Sequence, residues 1–245
     1  MKKIALTLLM PIVAMAGANA QILKKLQKGA EDLVGGGNLS TAEIGQGLKD
    51  ALNKGVEKGV NELSATDGYF KHAVYKILLP EEAQSVVSKL KTVPGFSNLE
   101  ADLIEKMNRG AENAAKEAGP IFANAITSMT IADAMDILMG ADNSATVYLR
   151  KTTFDQLYGK FNPVIVKALD EIGANDLWRN ASNAYNKIPF VTKVNNDLDD
   201  HVTTKALDGM FGKVQEKEKD IRRNPAARTS DLLKKVFSKQ DSNRK

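Results

Sequence analysis

A chain of 245 residues with no cysteine must hold its fold by burial alone, which excludes disulfide frameworks, thiolate metal sites and thiol nucleophiles. A formal charge of +4 is too weak to argue for a polyanionic partner, and no nucleic acid is expected. With 43% hydrophobic but only 6% aromatic residues, and Ala, Leu and Lys plentiful, the composition favours helices over sheets.

The first twenty residues, MKKIALTLLMPIVAMAGANA, have the layout of a secretory signal peptide. Lys2 and Lys3 start it, an apolar run follows, and Ala18-Asn19-Ala20 is a small-residue cleavage site before Gln21. The apolar run (residues 4–16) falls short of the roughly 20 residues a spanning helix needs. Export is therefore expected.

Residues 22–34 read as an amphipathic helix, with Ile22, Leu26, Ala30 and Leu33 opposite Lys24 and Lys28. Gly35-Gly36-Gly37 ends it as a hinge, so residues 21–39 form an N-terminal appendage. A single all-helical domain is expected over 40–238 and a disordered tail over 239–245.

Ser40 with Glu43 is a capping box opening the next helix. Its apolar arc holds Ile44, Leu48, Leu52, Val56, Val60 and Leu63. Gly45, Gly55 and Gly59 lie inside that arc and predict close approach of another helix, since each glycine costs about 1 kcal/mol in a helix. Residues 67–79 carry no clear period. Pro80 opens a helix to residue 90, and Asn98 caps a long one ending near Gly119-Pro120. Leu103, Met107, Gly110, Ala111 and Ala114 give that helix a narrow, small-residue face. Further helices are expected over 120–128, over 131–140 capped by Thr130 and Asp133, and over 143–160, 163–172, 175–187 and 196–223. A last short helix begins at Pro225. The sum is an irregular all-α bundle of nine to eleven helices without significant sheet.

From Lys213 onward eleven Lys or Arg face five Asp or Glu. This run reads as a solvated, salt-bridged helix or as a contact for anionic lipid headgroups.

Catalytic and metal-binding patterns are thin. His72 sits among Tyr69, Phe70 and Tyr75, as a packed or surface imidazole. Asp197 and His201 are four apart, but Lys205 shares their face, so an ion-pair ladder is the better reading and no metal is expected. The 195–200 stretch lacks the glycine and the terminal glutamate of a calcium loop. No nucleophile elbow, P-loop or dinucleotide fingerprint is present, and no cofactor is expected.

One residue breaks its pattern. On the 143–160 helix, Val147, Phe154, Leu157, Tyr158 and Phe161 make an apolar arc, and Arg150 falls inside it with Thr153 at the edge. A buried guanidinium needs a carboxylate, and Asp133, Asp136 and Asp155 are within sequence reach. Arg150 is therefore either an interhelical tie, a snorkelling side chain, or an anion-binding group. Arg150, Thr153 and Asp133 are the candidate ligand-binding residues.

Three ordered stretches carry a family resemblance: SMTIADAMDILMG (128–140), ATVYLRKTTFDQL (145–157) and VTTKALDGMFGKVQEKEKDIRRNPAARTSDLLKKVF (202–237). With GLKDALNKGV and KILLPE they resemble a bacterial family catalogued as domain of unknown function number forty-one ninety-seven, over about 39–237. The resemblance implies an exported, mostly helical domain of a Gram-negative-type bacterium, expected in its periplasm, and brings no activity, cofactor or catalytic residue. The leading functional expectation is a non-enzymatic envelope protein that binds a small anionic or amphipathic ligand or an envelope protein. A peripheral anionic-membrane binder and a carboxylate-based enzyme are the alternatives.

Overall fold

The computed structural model describes residues 40–90, 97–171, 173–187, 189–190, 193, 198–228 and 230–242. The stretches expected as an export signal, as a helix over 22–34 and as a glycine hinge lie outside the described residues, as does Asp197. Nine α-helices, one single-turn 3-10 helix and no strand occur among the described residues, so the protein is all-α.

The capping box at Ser40 starts α1 (Thr41–Ser64): the Glu43 amide donates to the Ser40 hydroxyl, and the Ser40 amide donates to the Glu43 carboxylate. The expected arc from Ile44 to Leu63 is buried. Its glycines meet other helices: a Cβ on Gly59 would touch Lys213, and one on Gly45 would touch Ile131 and Ala134.

After α2 (Glu81–Leu90), α3 (Leu99–Ala115) ends four residues earlier than expected. Its last turn tightens, because the Lys116 and Glu117 amides donate to Asn113 O and Ala114 O. A new helix, α4 (Ala118–Ser128), starts at once and holds Pro120 in its first turn, where no amide is needed. The Thr130–Asp133 capping box opens α5 (Ile131–Met139) as read.

The two helices expected at 143–160 and 163–172 are one, α6 (Ser144–Asp170), with Pro163 inside it. Pro163 has no amide to donate to the carbonyl of Gly159, and a proline ring crowds that carbonyl. The buried stripe Leu157, Phe161, Ile165 and Leu169 runs straight through the break. Burying such side chains contributes about 1.5–3 kcal/mol each, enough to offset one lost hydrogen bond and the strain, about 3 kcal/mol together.

α7 (Ala174–Asn186) and α8 (Leu198–Arg223) follow. Pro225 opens only a 3-10 turn (Pro225–Ala227), not the last helix. The buried Arg228 guanidinium donates to Ile221 O and Arg222 O at the end of α8, so the chain reverses before α9 (Asp231–Ser242). That helix extends into the stretch expected as a tail.

The long helices α1, α3, α6 and α8 build the body, with α6 between α3 and α8, and α1 on α8. The small-residue face of α3 serves α6: a Cβ on Gly110 would lie 3.2 Å from Ala168. Helices α4 and α5 close against α1 and α6, and α9 against α1.

Candidate functional site

The stretch without a clear period, 67–79, lies in a pinned loop, 65–80, on one side of the body. Gly68 is obligatory, since any Cβ would overlap Glu62 O and Leu63 O, and Asp67 before it takes a left-handed φ of 69°. The buried Glu112 carboxylate of α3 accepts the amides of Tyr69 and Phe70, and its other oxygen accepts from Arg109. Arg109 also reaches Asp67, whose carboxyl the Lys71 and Arg109 hydrogen bonds hold below its usual range.

Further on, the buried Asn108 carboxamide accepts from the Ile77 amide and donates to the Ile77 carbonyl, both at 2.8 Å. This copies a strand ladder with one side chain. On the α8 side the buried Tyr69 hydroxyl donates to Ala206 O, and the Tyr75 hydroxyl donates to Glu216. Gly209 and Gly212 make room for these two rings. His72 accepts the Val74 and Tyr75 amides at Nδ1, so it is a turn-forming residue packed on Tyr75.

Held this way, residues 76–79 alternate in burial as a strand would: Ile77 and Leu79 are buried, while Lys76 and Leu78 are exposed. Between this segment and the polar face of α8 lies an open groove of about 710 Å³. Its helical wall is His201, Lys205, Asp208 and Gly209, and Glu81 and Gln84 stand at one end. His201 Nε2 lies 3.1 Å from Leu78 O. The Leu78 amide and the Lys76 carbonyl have no hydrogen-bond partner among the described residues, and the Leu78 side chain is 54% exposed.

The predicted site residues do not converge. Arg150 is 45% exposed and pairs with Asp208 at 2.7 Å, not with Asp133, Asp136 or Asp155. Its guanidinium stacks over Phe154 and Phe211, so it snorkels beside the groove. The reason is a rotated arc: Val147 is 57% exposed, and the buried stripe begins with Ala145, Leu149 and Thr153. Thr153 is buried and spends its hydroxyl on Leu149 O. Asp133 is the capping residue of α5, its carboxyl lowered by the Thr130 hydroxyl and amide.

Two arginines are buried among the described residues, Arg228 and Arg222, both missed in the sequence, and the ion-paired one is Arg222. It pairs with buried Glu218 at 3.0 Å and donates to Ile137 O and Leu138 O at the end of α5. Glu218 accepts the Ala145 and Thr146 amides and the Thr146 hydroxyl at the start of α6. One ion pair thus caps the end of α5 and the start of α6. The signal was present: Val202, Ala206, Met210, Val214, Glu218 and Arg222 continue a single four-residue stripe. The basic run is otherwise engaged in part: Lys213 and Lys217 hold Glu62, and Arg223 holds Asp142.

No group of three or more His, Asp or Glu side chains suited to a metal occurs among the described residues. None of their helices is by itself long and apolar enough to cross a membrane. No curated protein and no solved structure matches the chain. One family model does, over residues 38–238, from just before α1 into α9. The chain belongs to that family, described as "Protein of unknown function (DUF4197)".

Proposed function

We propose that this protein is an exported, non-enzymatic binding domain of the bacterial envelope, and that it takes an extended, acidic segment of a partner polypeptide along residues 76–79. The observation that carries the reading is the open edge there. Ile77 is already satisfied by Asn108 on one side, while the Leu78 amide and the Lys76 carbonyl offer a donor and an acceptor to an added strand. The exposed Leu78 side chain supplies an apolar anchor, and Lys76 and Lys205 favour carboxylates. Asp208, the acidic group on the helical wall, is neutralised by Arg150. His201 and Asp208 are engaged with the walls of the groove, which supports a binding role over a catalytic one. Export rests on the layout of residues 1–20.

Selection of displayed random peptides on the purified protein tests the groove. The expected winners combine an apolar residue with Asp or Glu, and Lys205→Glu weakens them about tenfold, the result of losing one attraction and gaining a repulsion of under 1 kcal/mol each. Winners without acidic residues, or insensitive to that change, contradict the reading. Cell fractionation tests export: a chain starting at Gln21 in the periplasm is expected, and an uncut chain in the cytoplasm overturns it.

A further inference from the structure

Helix α5 keeps apolar side chains in water at both of its ends. Ile131, Met135 and Met139 follow one another at four-residue spacing and line one stripe of the helix. Met135 is buried, whereas Ile131 and Met139 are half exposed. Asp133 and Asp136 are the charged residues of α5, and no charged residue occurs from Ala118 to Ala132 on the way into it. This face is independent of the groove at residues 76–79, which lies past the other end of α1.

The place where the chain enters α1 says what covers it. Gly45 lies against Ile131 and Ala134, 3.8 Å from either for an added Cβ. Ser40 stands five residues before Gly45, about 8 Å of helix rise. Upstream of Ser40 the spacer Gly35-Gly36-Gly37-Asn38-Leu39 reaches at most about 18 Å, and its three glycines let the chain turn back.

The stretch on the far side of that spacer, residues 22–34, has the matching chemistry. Ile22, Leu26, Ala30 and Leu33 form its apolar arc, and Lys24, Lys25 and Lys28 outnumber Glu31 and Asp32, so it is basic where α5 is acidic. A short tether holds it near α5 at an effective concentration in the millimolar range, an advantage that a separate partner lacks. We infer that residues 22–34 fold back on α5 of the same molecule and cover Ile131 and Met139 with their apolar arc. Removal of residues 1–20 leaves this segment in place, since the expected cut precedes Gln21.

The chain has no cysteine, so an introduced pair reports contact directly. Ala30→Cys with Ala132→Cys keeps the large apolar anchors, since Ala132 is an exposed residue beside Ile131. Mild oxidation of the dilute purified protein is expected to link this pair within the monomer, read by gel mobility and intact mass. Ala30→Cys with Val74→Cys, on the exposed loop past the far end of α1, is expected to stay reduced. Trypsin cutting followed by mass spectrometry gives a second readout. Ile131→Gln with Met139→Gln speeds cleavage at Lys24, Lys25 and Lys28 at least tenfold; both side chains are half exposed, so the body stays folded. Equal linking of the two cysteine pairs, no link in either, or cleavage rates unchanged by glutamine would each overturn the inference. Linked dimers in place of linked monomers would give the face to a second copy, and protection seen only with anionic vesicles would give the segment to a membrane; both outcomes overturn it as well.

Discussion

Arg222→Met removes the cation at the α5–α6 joint while keeping a long apolar side chain in its place. Arg222 and Glu218 are 2% and 4% exposed, so water cannot take over the lost interactions. Breaking a buried pair from one side costs about 3–5 kcal/mol, because the remaining charge stays buried. Glu218 keeps three donors from Ala145 and Thr146, which moderates the loss. Ile137 O and Leu138 O lose charged donors, which adds to it. The balance is about 4 kcal/mol, a large part of the 5–15 kcal/mol that ordinarily separates folded from unfolded chains. With a urea m-value of about 2.5 kcal/mol/M, the midpoint falls by roughly 1.6 M. Arg150→Met is the internal comparison: its pair with Asp208 is about half exposed on both sides, so the cost stays below about 1 kcal/mol. Urea denaturation followed by circular dichroism reads both. Equal midpoints for the two variants, or a larger loss at Arg150, would refute the assignment of Arg222 as the buried tie.

Gly212→Ala places a Cβ 2.7 Å from Tyr75 Cε1, so the ring and its bond to Glu216 must shift; a loss of about 1–3 kcal/mol in urea denaturation is expected despite the better helix former, and a gain contradicts the packing. Thr130→Ala removes the hydroxyl that caps α5 and costs about 1 kcal/mol, read as a lowered melting temperature; no change would mean the cap is idle. Stability follows pH in two windows. Burial pushes the Glu62 and Glu216 carboxyls up, but hydrogen bonds from Lys217 and Lys213 to Glu62, and from Tyr75 and Lys213 to Glu216, outweigh it. Both carboxyls lie below the usual 4.5, so their contribution is present above that value and lost as pH falls through the folded pKa values. Burial raises Tyr69 and Tyr75 above the usual 10, and their contribution is lost as pH rises beyond it. Melting temperatures measured from pH 3 to 11 should plateau near neutrality and fall at both ends; a continued rise above pH 10 would sink the tyrosine assignment.

What the sequence disclosed followed from range. Capping boxes span three residues, so Ser40–Glu43 and Thr130–Asp133 were legible, as was the α1 stripe from Ile44 to Leu63. The arc of α6 was misplaced because half-buried Phe154 and Tyr158 are more apolar than Ala145, Thr146 and Thr153, although these smaller residues share the buried face with Leu149, Leu157 and Phe161. Pro163 suggested a break that the buried stripe of Leu157, Phe161, Ile165 and Leu169 on either side of it overrides. The groove was hidden for a different reason. Its extended segment is specified by Asn108 and Glu112, 31 and 43 residues along the chain from Ile77 and Tyr69, and no local period encodes such partners. Asn108 and Glu112 do stand four apart on the buried face of α3, a pair of polar residues whose burial announces a partner without naming it.

The central claim is that the open edge at residues 76–79 accepts a strand, and the most direct test compares Leu78→Pro with Leu78→Ala. Both remove the apolar anchor, but only proline removes the amide, which has no partner in the described structure and whose loss costs the fold little. Fluorescence anisotropy with one labelled acidic peptide from the selection gives both affinities. The account predicts a modest loss for alanine and at least a further tenfold loss for proline, with melting temperatures of the two variants alike. Equal affinities for the two variants would contradict strand addition and leave the groove to side-chain contacts alone.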